Sequence, residues 1–312
     1  MKLLTFAPDA RSAIRAGAYA GGGTVVDLPR AFATVFDAEP PAWFSSVGEL
    51  LKGGEPALEL ARTTLERAVR VDDDALHHDV DRIVFHPPTG PTAKILCVTM
   101  NYASHAQATL TKPSEEPYFF IKMPGLMTPH RAPVLRSKTS QQADSEIELA
   151  VVIGRRGKYI TRDQAMAHVA GYTIGNDFSF RDRRTLKSDP NSARLNWLTL
   201  KNLDTAAPLG PWLVTKDEVA DVYNLDITLT LENEPDAQQR GNTSGMMHRI
   251  EDLIAHASDG LTLEPGDVIL TGTPSGVGHA RKPDPVWMKA GDTCEIEIEK
   301  VGVLRNPIAD EK

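Results

Sequence analysis

The amino-acid sequence predicts an α+β protein, mainly β, in which a small N-terminal α+β domain precedes a mixed and strongly bent sheet assembly. Segments of strand character dominate the chain after residue 94. The sequence shows no regular βαβ alternation and no internal repeat, which argues against a doubly wound parallel sheet. A polar, proline-punctuated stretch that ends near residue 91 separates two regions of different character.

The small domain is predicted to span residues 1–85. Lys2–Phe6 and Thr24–Leu28 have the apolar pattern of strands, and the glycine run at residues 21–23 indicates a turn between them. Residues 56–70 carry apolar side chains at helical spacing, so we expect one helix after the two strands.

The larger domain is predicted to span residues 86–312 and begins with the stretch HPPTGP. Six segments have strand character, namely KILCV, ELAVVIG, GYTIGND, LDITLTLE, GDVILTGTP and TCEIEIEKVG. Thr161–Gln164 and Thr215–Glu218 match the capping box that begins a helix. Residues 246–257 carry an apolar stripe that predicts a helix ending near a glycine.

Composition and charge narrow the functional classes. Hydrophobic residues make up 41% and charged residues 24%, as is typical of a soluble globular protein, and no apolar run is long enough for a membrane helix. The formal net charge of -8 argues against nucleic acid or an anionic membrane as a partner, but it permits a small anionic substrate. We expect Cys97 and Cys294 to be buried reduced thiols. Because the first residues lack the apolar stretch of a signal peptide, we predict a cytoplasmic location.

A cluster of carboxylates gives the strongest chemical signal. Side chains alternate along a strand, so Asp144, Glu146 and Glu148 project to one side. Beyond Glu148 both faces are apolar, which is typical of a buried strand. Unpaired carboxylates at the edge of a protein interior are unfavourable, and a metal ion would stabilise them. Asp177, at the end of the next predicted strand, adds a third acid. Oxygen ligands alone favour Mg²⁺ or Mn²⁺, with Ca²⁺ also possible, over Zn²⁺.

A second acidic strand serves as an internal control. In the segment CEIEIEK, the face that carries Glu295, Glu297 and Glu299 stays polar along its whole length. We therefore interpret these glutamates as solvated and chemically inert.

The run from Lys94 to Asn306 resembles the catalytic domain of the fumarylacetoacetate hydrolase family. The matching stretches, in chain order, are KILCVTMNYASHA, EEPYFFIKMP, DSEIELAVVIG, GYTIGNDFSFRD, LKNLDTAAPLGPWLVTKDE, LTLEPGDVILTGTPSGVG and MKAGDTCEIEIEKVGVLRN. The resemblance implies a mixed β-roll that is usually assembled as a homodimer. It also implies a metal-dependent enzyme for small oxo-acids with a 1,3-dicarbonyl or acylpyruvate unit. Such enzymes hydrolyse a carbon–carbon bond, decarboxylate, or isomerise an enol.

The resemblance also assigns roles to individual residues. It makes Glu146, Glu148 and Asp177 the metal ligands. His105 matches the histidine that activates water, and Lys201 matches a buried lysine that can stabilise an oxyanion. The residues predicted to bind the substrate are Tyr102, Lys122, Arg181, Arg184 and Thr273. Arg184 stands where many members have glutamine, and its added charge favours a dianionic substrate.

One departure leaves the reaction open. Ala108 stands where several members of the family place a glutamate that orients the histidine. Either Glu115 or Glu116 substitutes for it, or water activation is weak. The first prediction is a hydrolase of acylpyruvates or fumarylacetoacetate-like compounds. The second is an oxaloacetate-type decarboxylase or a hydroxyhepta-dienedioate isomerase, which needs the metal and Lys201 but no activated water. The third is a catalytically silent relative that acts as a binding protein.

Overall fold

The computed structural model describes residues 1–91, 93–110, 112–185, 195–232 and 234–312. These residues form three sheets and five α-helices. The helices are α1 (Leu28–Phe36), α2 (Val47–Ala68), α3 (Ala103–Thr109), α4 (Trp197–Lys201) and α5 (Ile250–Ala257). No helix in the described ranges is long and apolar enough to cross a membrane.

Strands make up most of the regular structure after the second helix. The first nine strands are β1 (Lys2–Ala7), β2 (Arg15–Gly21), β3 (Thr24–Asp27), β4 (His77–Asp79), β5 (Val84–His86), β6 (Ile95–Val98), β7 (Phe119–Lys122), β8 (Met127–Thr128) and β9 (Val134–Arg136). The others in the described residues are β10 (Ala143–Asp144), β11 (Ile147–Ile153), β12 (Val169–Asn176), β13 (Ser179–Phe180), β14 (Ala207–Thr215), β15 (Asp226–Leu231), β16 (Glu234–Asn242), β17 (Val268–Leu270), β18 (Thr293–Ile298) and β19 (Gly302–Asp310).

The largest sheet has the order β4-β3-β2-β1-β14-β12-β11-β17-β6-β7, with β5 paired to β1 and β8 paired to β14. The second large sheet has the order β16-β15-β18-β19-β9, and β10 pairs with β13. The pairs β6–β17, β8–β14 and β9–β19 are parallel and the remaining pairs are antiparallel, so the predicted mixed sheet is confirmed. Because β1 hydrogen-bonds to β14, residues 1–85 are joined directly to the larger sheet, and the division at residue 86 stays a prediction.

β11 lies in the interior of the molecule. It is hydrogen-bonded to β12 on one side and to β17 on the other, and all seven of its residues are buried. Leu149 and Val151 pack into the main core, while Ala150 and Val152 pack into two other clusters, so both faces are covered. Burial of each large aliphatic side chain here contributes roughly 1.5–3 kcal/mol. The buried strand predicted from its two apolar faces is therefore confirmed.

Helix α2 begins earlier than the sequence pattern predicted. Ser46 caps it by accepting a hydrogen bond from the Glu49 amide at 3.1 Å. Gly54 has a positive φ of 65° and kinks the helix, and Pro56 stands two residues later. Proline is tolerated there because it lies in the first turn after the kink. Sequence reasoning therefore found only the segment that follows the kink.

Three other predictions of local structure are wrong. Short 3₁₀ helices at Ala165–His168 and Lys216–Glu218 replace the two predicted capping-box helices, and neither has a side-chain cap. Each segment instead forms one short 3₁₀ turn, a form that is frequent in connections between strands. The strand predicted to reach Leu28 ends at Asp27, because the Asp27 carboxylate accepts from the Arg30 amide at 3.2 Å and starts α1.

The two cysteines lie where expected. Cys97 and Cys294 are buried and free. Burial is the main cause that raises the pKa of both thiols, which favours the neutral form.

Candidate metal-dependent active site

Three buried acids converge where β11 meets β12. Ile147 pairs with Asn176 in this antiparallel ladder, so the residues next to them, Glu146 and Asp177, become neighbours. The Asp177 amide donates to the Glu146 carbonyl at 3.0 Å. Ligand oxygens of Glu146, Glu148 and Asp177 all lie within 4.8 Å of one another. The structure thus brings the three predicted ligands together, and their role as ligands stays a prediction.

Backbone and amide groups hold the acids in place. The Asn176 side chain accepts from the Glu146 amide at 3.1 Å. The Gly272 amide donates to Glu148 Oε2 at 2.6 Å. Gly272 has a φ of +94°, and a Cβ at this position would lie 2.8 Å from the Asn101 Cβ. A glycine is needed there because the positive φ and the close approach disfavour any side chain.

Three cations, of which Lys201 and Lys122 are buried and Arg181 is partly buried, contact two of the acids. Lys201 Nζ lies 2.7 Å from Glu146 Oε2 and also contacts the Asp177 carboxylate. Lys122 Nζ lies 2.9 Å from Asp177 Oδ1. Arg181 contacts Glu146 through one guanidinium nitrogen. These pairs stabilise Glu146 and Asp177 as anions in a medium of low dielectric constant.

Glu148 has a different environment from its neighbours. Burial, followed by the negative charges of Asp177 and Glu146, raises the pKa of Glu148 well above its usual value. Burial would also raise the pKa of Glu146, but Arg181 and Lys201 hold it well below the usual value. A divalent cation beside Glu148 would supply the compensating charge that Glu146 obtains from these side chains. The oxygen donors, their convergence and this unbalanced acid fit a hard divalent cation.

His105 lies on α3 and is 7% exposed. Its Nδ1 has no hydrogen-bond partner among the described residues. Burial lowers the pKa of the ring, although the Glu146 charge opposes the shift, so the imidazole is neutral near pH 7. Glu115 and Glu116 are both exposed, and neither hydrogen-bonds to His105 Nδ1 in the described structure, so their substitution for the family's glutamate stays a prediction.

The predicted substrate-binding residues fall into two groups. Arg181 and Lys122 lie against the acidic cluster, where they pair with carboxylates. Thr273 is buried, and its hydroxyl accepts from Gln239 Nε2 at 2.9 Å. Tyr102 is buried. Arg184 is exposed, so the structure does not group it with the cluster. Contact of any of them with a substrate stays a prediction.

Sequence reasoning assigned no role to two groups near the site. Asp144 was placed on the acidic face of the strand, but the structure shows it fully buried and paired with Arg181 at 2.8 Å. His279, which follows the GTPSGVG stretch, lies 3.2 Å from the same carboxylate. Sequence reasoning could have found His279 from its position directly after a stretch that matches the family. Asp182 accepts from Ser140 and from the Gln141 amide and so stabilises a turn.

A mixed-sheet fold with a cluster of three carboxylates, three cations and a neutral histidine is typical of an enzyme, and the three acids form a candidate oxygen-ligand metal site. Residues 94–309 match the family model described as "Fumarylacetoacetate (FAA) hydrolase C-terminal". Because the match covers more than half of the chain, the protein belongs to the fumarylacetoacetate hydrolase family.

Named relatives within the family catalyse different reactions. The chain is 40% identical over 287 residues to the mitochondrial oxaloacetate tautomerase FAHD2A of Homo sapiens, covering 92% of this chain and 84% of the relative. It resembles the structure of the fumarylacetoacetate hydrolase from Exiguobacterium antarcticum, with a TM-score of 0.78, 29% identity and full coverage of both chains. The maleylpyruvate hydrolase from Sphingobium sp. SYK-6, in complex with manganese(II) and pyruvate, gives a TM-score of 0.75 at 27% identity with full coverage of both chains.

Proposed function

We propose that this protein is a divalent-metal-dependent enzyme that interconverts the enol and keto forms of a small 2-oxo diacid of the oxaloacetate type. This is the isomerase within the second function predicted from the sequence, and it now takes precedence over hydrolysis. The observation that carries it is His105 Nδ1, which lacks an orienting carboxylate among the described residues. A keto–enol shift needs no activated water, whereas hydrolysis does. The 40% identity to a relative named as an oxaloacetate tautomerase supports the choice.

Glu146, Glu148 and Asp177 would hold the metal. A bound Mg²⁺ or Mn²⁺ would withdraw electron density from the oxygens of a 2-oxo acid and so favour the enolate. Manganese in the structure of the maleylpyruvate hydrolase supports this choice of ion. Ca²⁺ has a compatible ligand preference, because it also takes carboxylate oxygens.

The protein's own side chains would contribute charge and proton transfer. Burial disfavours a charged Lys201, but Asp177 and Glu146 outweigh this effect and raise its pKa, so the ammonium is retained next to the reacting oxygen. Arg181 and Lys122 add positive charge that suits a dianionic substrate. His105, which burial keeps neutral near pH 7 by lowering its pKa, leaves the positive charge of the site to these cations.

A second candidate is hydrolysis of a carbon–carbon bond in an acylpyruvate-like compound, the first function predicted from the sequence. The neutral, buried His105 favours it, because a water molecule beside this ring would have a base within reach. The two structural relatives named as hydrolases support it as well.

One set of assays separates these functions. Enol oxaloacetate is mixed with Mg²⁺- or Mn²⁺-loaded protein, and the decay of enol absorbance is followed together with carbon dioxide release. We expect fast ketonisation without matching carbon dioxide, and little loss of an acylpyruvate in a parallel assay. Rapid acylpyruvate cleavage without enhanced ketonisation would establish the hydrolase instead. A protein inactive in every assay after verified metal loading would be the silent relative.

We also propose a homodimer with a small anionic oxo-acid as its ligand, and neither nucleic acid nor membrane as a partner. Light scattering of the purified protein measures the mass directly and distinguishes a dimer from a monomer. The cytoplasmic location remains a proposal, since the human relative is named as mitochondrial.

A further inference from the structure

A second imidazole faces the space beside His105. His279 lies on the short 3₁₀ segment Gly278–Ala280. Its ring centroid is 6.4 Å from that of His105, and the two rings are inclined at 77°. The side chain of His279 is 28% exposed to solvent, whereas His105 is almost completely buried. One ring is therefore open to solvent, and the other is enclosed.

A fixed carboxylate orients His279. The Nδ1 of His279 lies 3.2 Å from Asp144 Oδ2. Asp144 is fully buried, and it also accepts from the Gly278 amide at 2.8 Å and from Arg181 Nε at 2.8 Å. Because these bonds do not involve the His279 ring, the carboxylate is held independently of the side chain that it orients.

The chain fits closely around this carboxylate. A Cβ at Gly278 would lie 2.6 Å from Asp144 Oδ1 and 2.1 Å from the Val286 carbonyl oxygen. Only glycine avoids these contacts without displacement of the backbone. The His279 amide approaches Asp144 Oδ2 at 3.3 Å, so backbone and ring converge on one oxygen. Such convergence restricts the rotation of the imidazole.

His279 therefore has the environment that His105 lacks. A catalytic base is commonly oriented by a third group, which holds one ring nitrogen as a donor and presents the other as an acceptor. Asp144 is placed to do this for His279, because it engages Nδ1 and leaves Nε2 as the other ring nitrogen. His105 Nδ1 has no partner in the part of the chain that the structure describes.

We propose that His279, oriented by Asp144, is the base that moves the proton at the carbon next to the 2-oxo group. Its Nε2 takes the C–H proton, the C–H electron pair becomes the carbon–carbon double bond, and the 2-oxo group becomes the enolate oxygen. In the reverse direction the imidazolium returns the proton to carbon, and the carbonyl re-forms. No oxidant, reductant or co-reactant is consumed. This assignment rests on the proposed keto–enol function and names the group that performs it.

Pyruvate provides a direct probe of this step. Exchange of its methyl protons with deuterium from solvent is followed by proton NMR, with Mg²⁺-loaded full-length protein. We expect His279→Gln to lower the maximal exchange rate at least ~100-fold, the usual contribution of a general base, while the pyruvate concentration for half-maximal rate changes less than about threefold. The matched control is His78→Gln, at another histidine close to an aspartate, Asp27, in the N-terminal part of the chain. It should exchange at the wild-type rate.

A rescue experiment separates a chemical role from a structural one. Added imidazole should raise the exchange rate of His279→Ala at least ~tenfold over the rate of the same variant without imidazole. Free imidazole can replace a missing base, but it cannot repair a misfolded loop. Wild-type-like exchange in His279→Gln, or no rescue of a folded His279→Ala, would overturn the assignment and leave the proposed function standing. Exchange that depends on His279 without faster ketonisation of oxaloacetate would overturn only the proposed function. A wild-type protein that catalyses neither would overturn both.

Discussion

The strand β11 and the strand β18 both carry glutamates at alternating positions, but their surroundings differ. Glu146, just before β11, and Glu148, within it, are buried, whereas Glu295 on β18 and Glu299, just after that strand, have side chains that are 46% exposed. β11 lies inside the largest sheet with both faces covered, and β18 alternates buried apolar residues with solvated acids. The same local pattern therefore produces a candidate metal site in one place and a solvated surface in the other.

The difference shows what makes a carboxylate chemically useful. On β18 water solvates each negative charge, and nearby exposed cations add little. Beside β11 the protein must supply the compensating charge, and it does so with buried Lys201 and Lys122 and with partly buried Arg181. Glu148 is the acid with the least compensation, because burial and then the negative charges of Asp177 and Glu146 raise its pKa. The predictions that follow test this comparison, from the largest expected effect to the smallest.

The first prediction concerns metal binding. Glu148→Gln removes one negative charge and one strong ligand with little change in shape. Mutation of a residue that only hydrogen-bonds to a metal ligand typically lowers metal affinity about 10–100-fold, so loss of a ligand itself should lower Mn²⁺ affinity at least ~100-fold. Glu297→Gln on β18 is the matched control and should bind Mn²⁺ within about twofold of wild type. Isothermal titration calorimetry measures both. Equal affinity in the two variants would show that the acidic cluster holds no metal.

The second prediction concerns stability without metal. Lys201→Met leaves buried Glu146 and Asp177 without their shared cation, and the free energy of unfolding should fall by about 3–5 kcal/mol. Lys300→Met removes an exposed partner of Glu299 at 3.7 Å and should cost less than about 0.5 kcal/mol. Urea denaturation compares the two variants. Saturating Mn²⁺ should restore part of the loss in Lys201→Met, and similar losses in both variants would contradict the comparison.

The third prediction concerns acid stability near the second region. His130 accepts from the amide of Arg305 on β19, next to β18, and burial together with Arg131 and Arg305 lowers its pKa to about 4. The unfolded chain binds this proton at about pH 6.5, so the stabilisation is complete above that value and is lost as the pH falls towards 4.

Between pH 7 and pH 5 we therefore expect a loss of about 1–2 kcal/mol from this group, measured by urea unfolding. His130→Asn should show a smaller loss over the same interval. The exposed His256→Asn serves as the control and should keep the wild-type slope. An unchanged slope in His130→Asn would assign the acid sensitivity to other groups.

The smallest expected effect lies on the solvated strand itself. Glu297 pairs with Thr228 across β15 and β18. Glu297→Thr should stabilise the protein by about 0.3 kcal/mol, because threonine suits a half-exposed strand better than glutamate does. Thermal unfolding with and without Mn²⁺ checks this value. A loss above about 1 kcal/mol would mean that the β18 acids have a structural partner, contrary to their interpretation as solvated.

Much of the fold was predictable from local pattern. The buried strand β11, the two buried thiols and the later segment of α2 all follow from the periodicity or continuity of apolar residues, which depends only on neighbours in the chain. The capping boxes at Thr161 and Thr215 failed because a matching pair of side chains does not ensure enough chain length for a helix. The early start of α2 was hidden because Gly54 and Pro56 are typical helix breakers.

The sequence by itself determined that acids stand at the end of a buried strand and that oxygen ligands would suit a hard cation. Only the tertiary structure decided which polar groups meet. Asp144 and His279 are separated by 135 positions in the chain, and Lys201 lies 55 positions from Glu146. Alternation and hydrophobic continuity are encoded in adjacent residues, whereas a hydrogen bond between distant residues depends on how the sheets and loops pack.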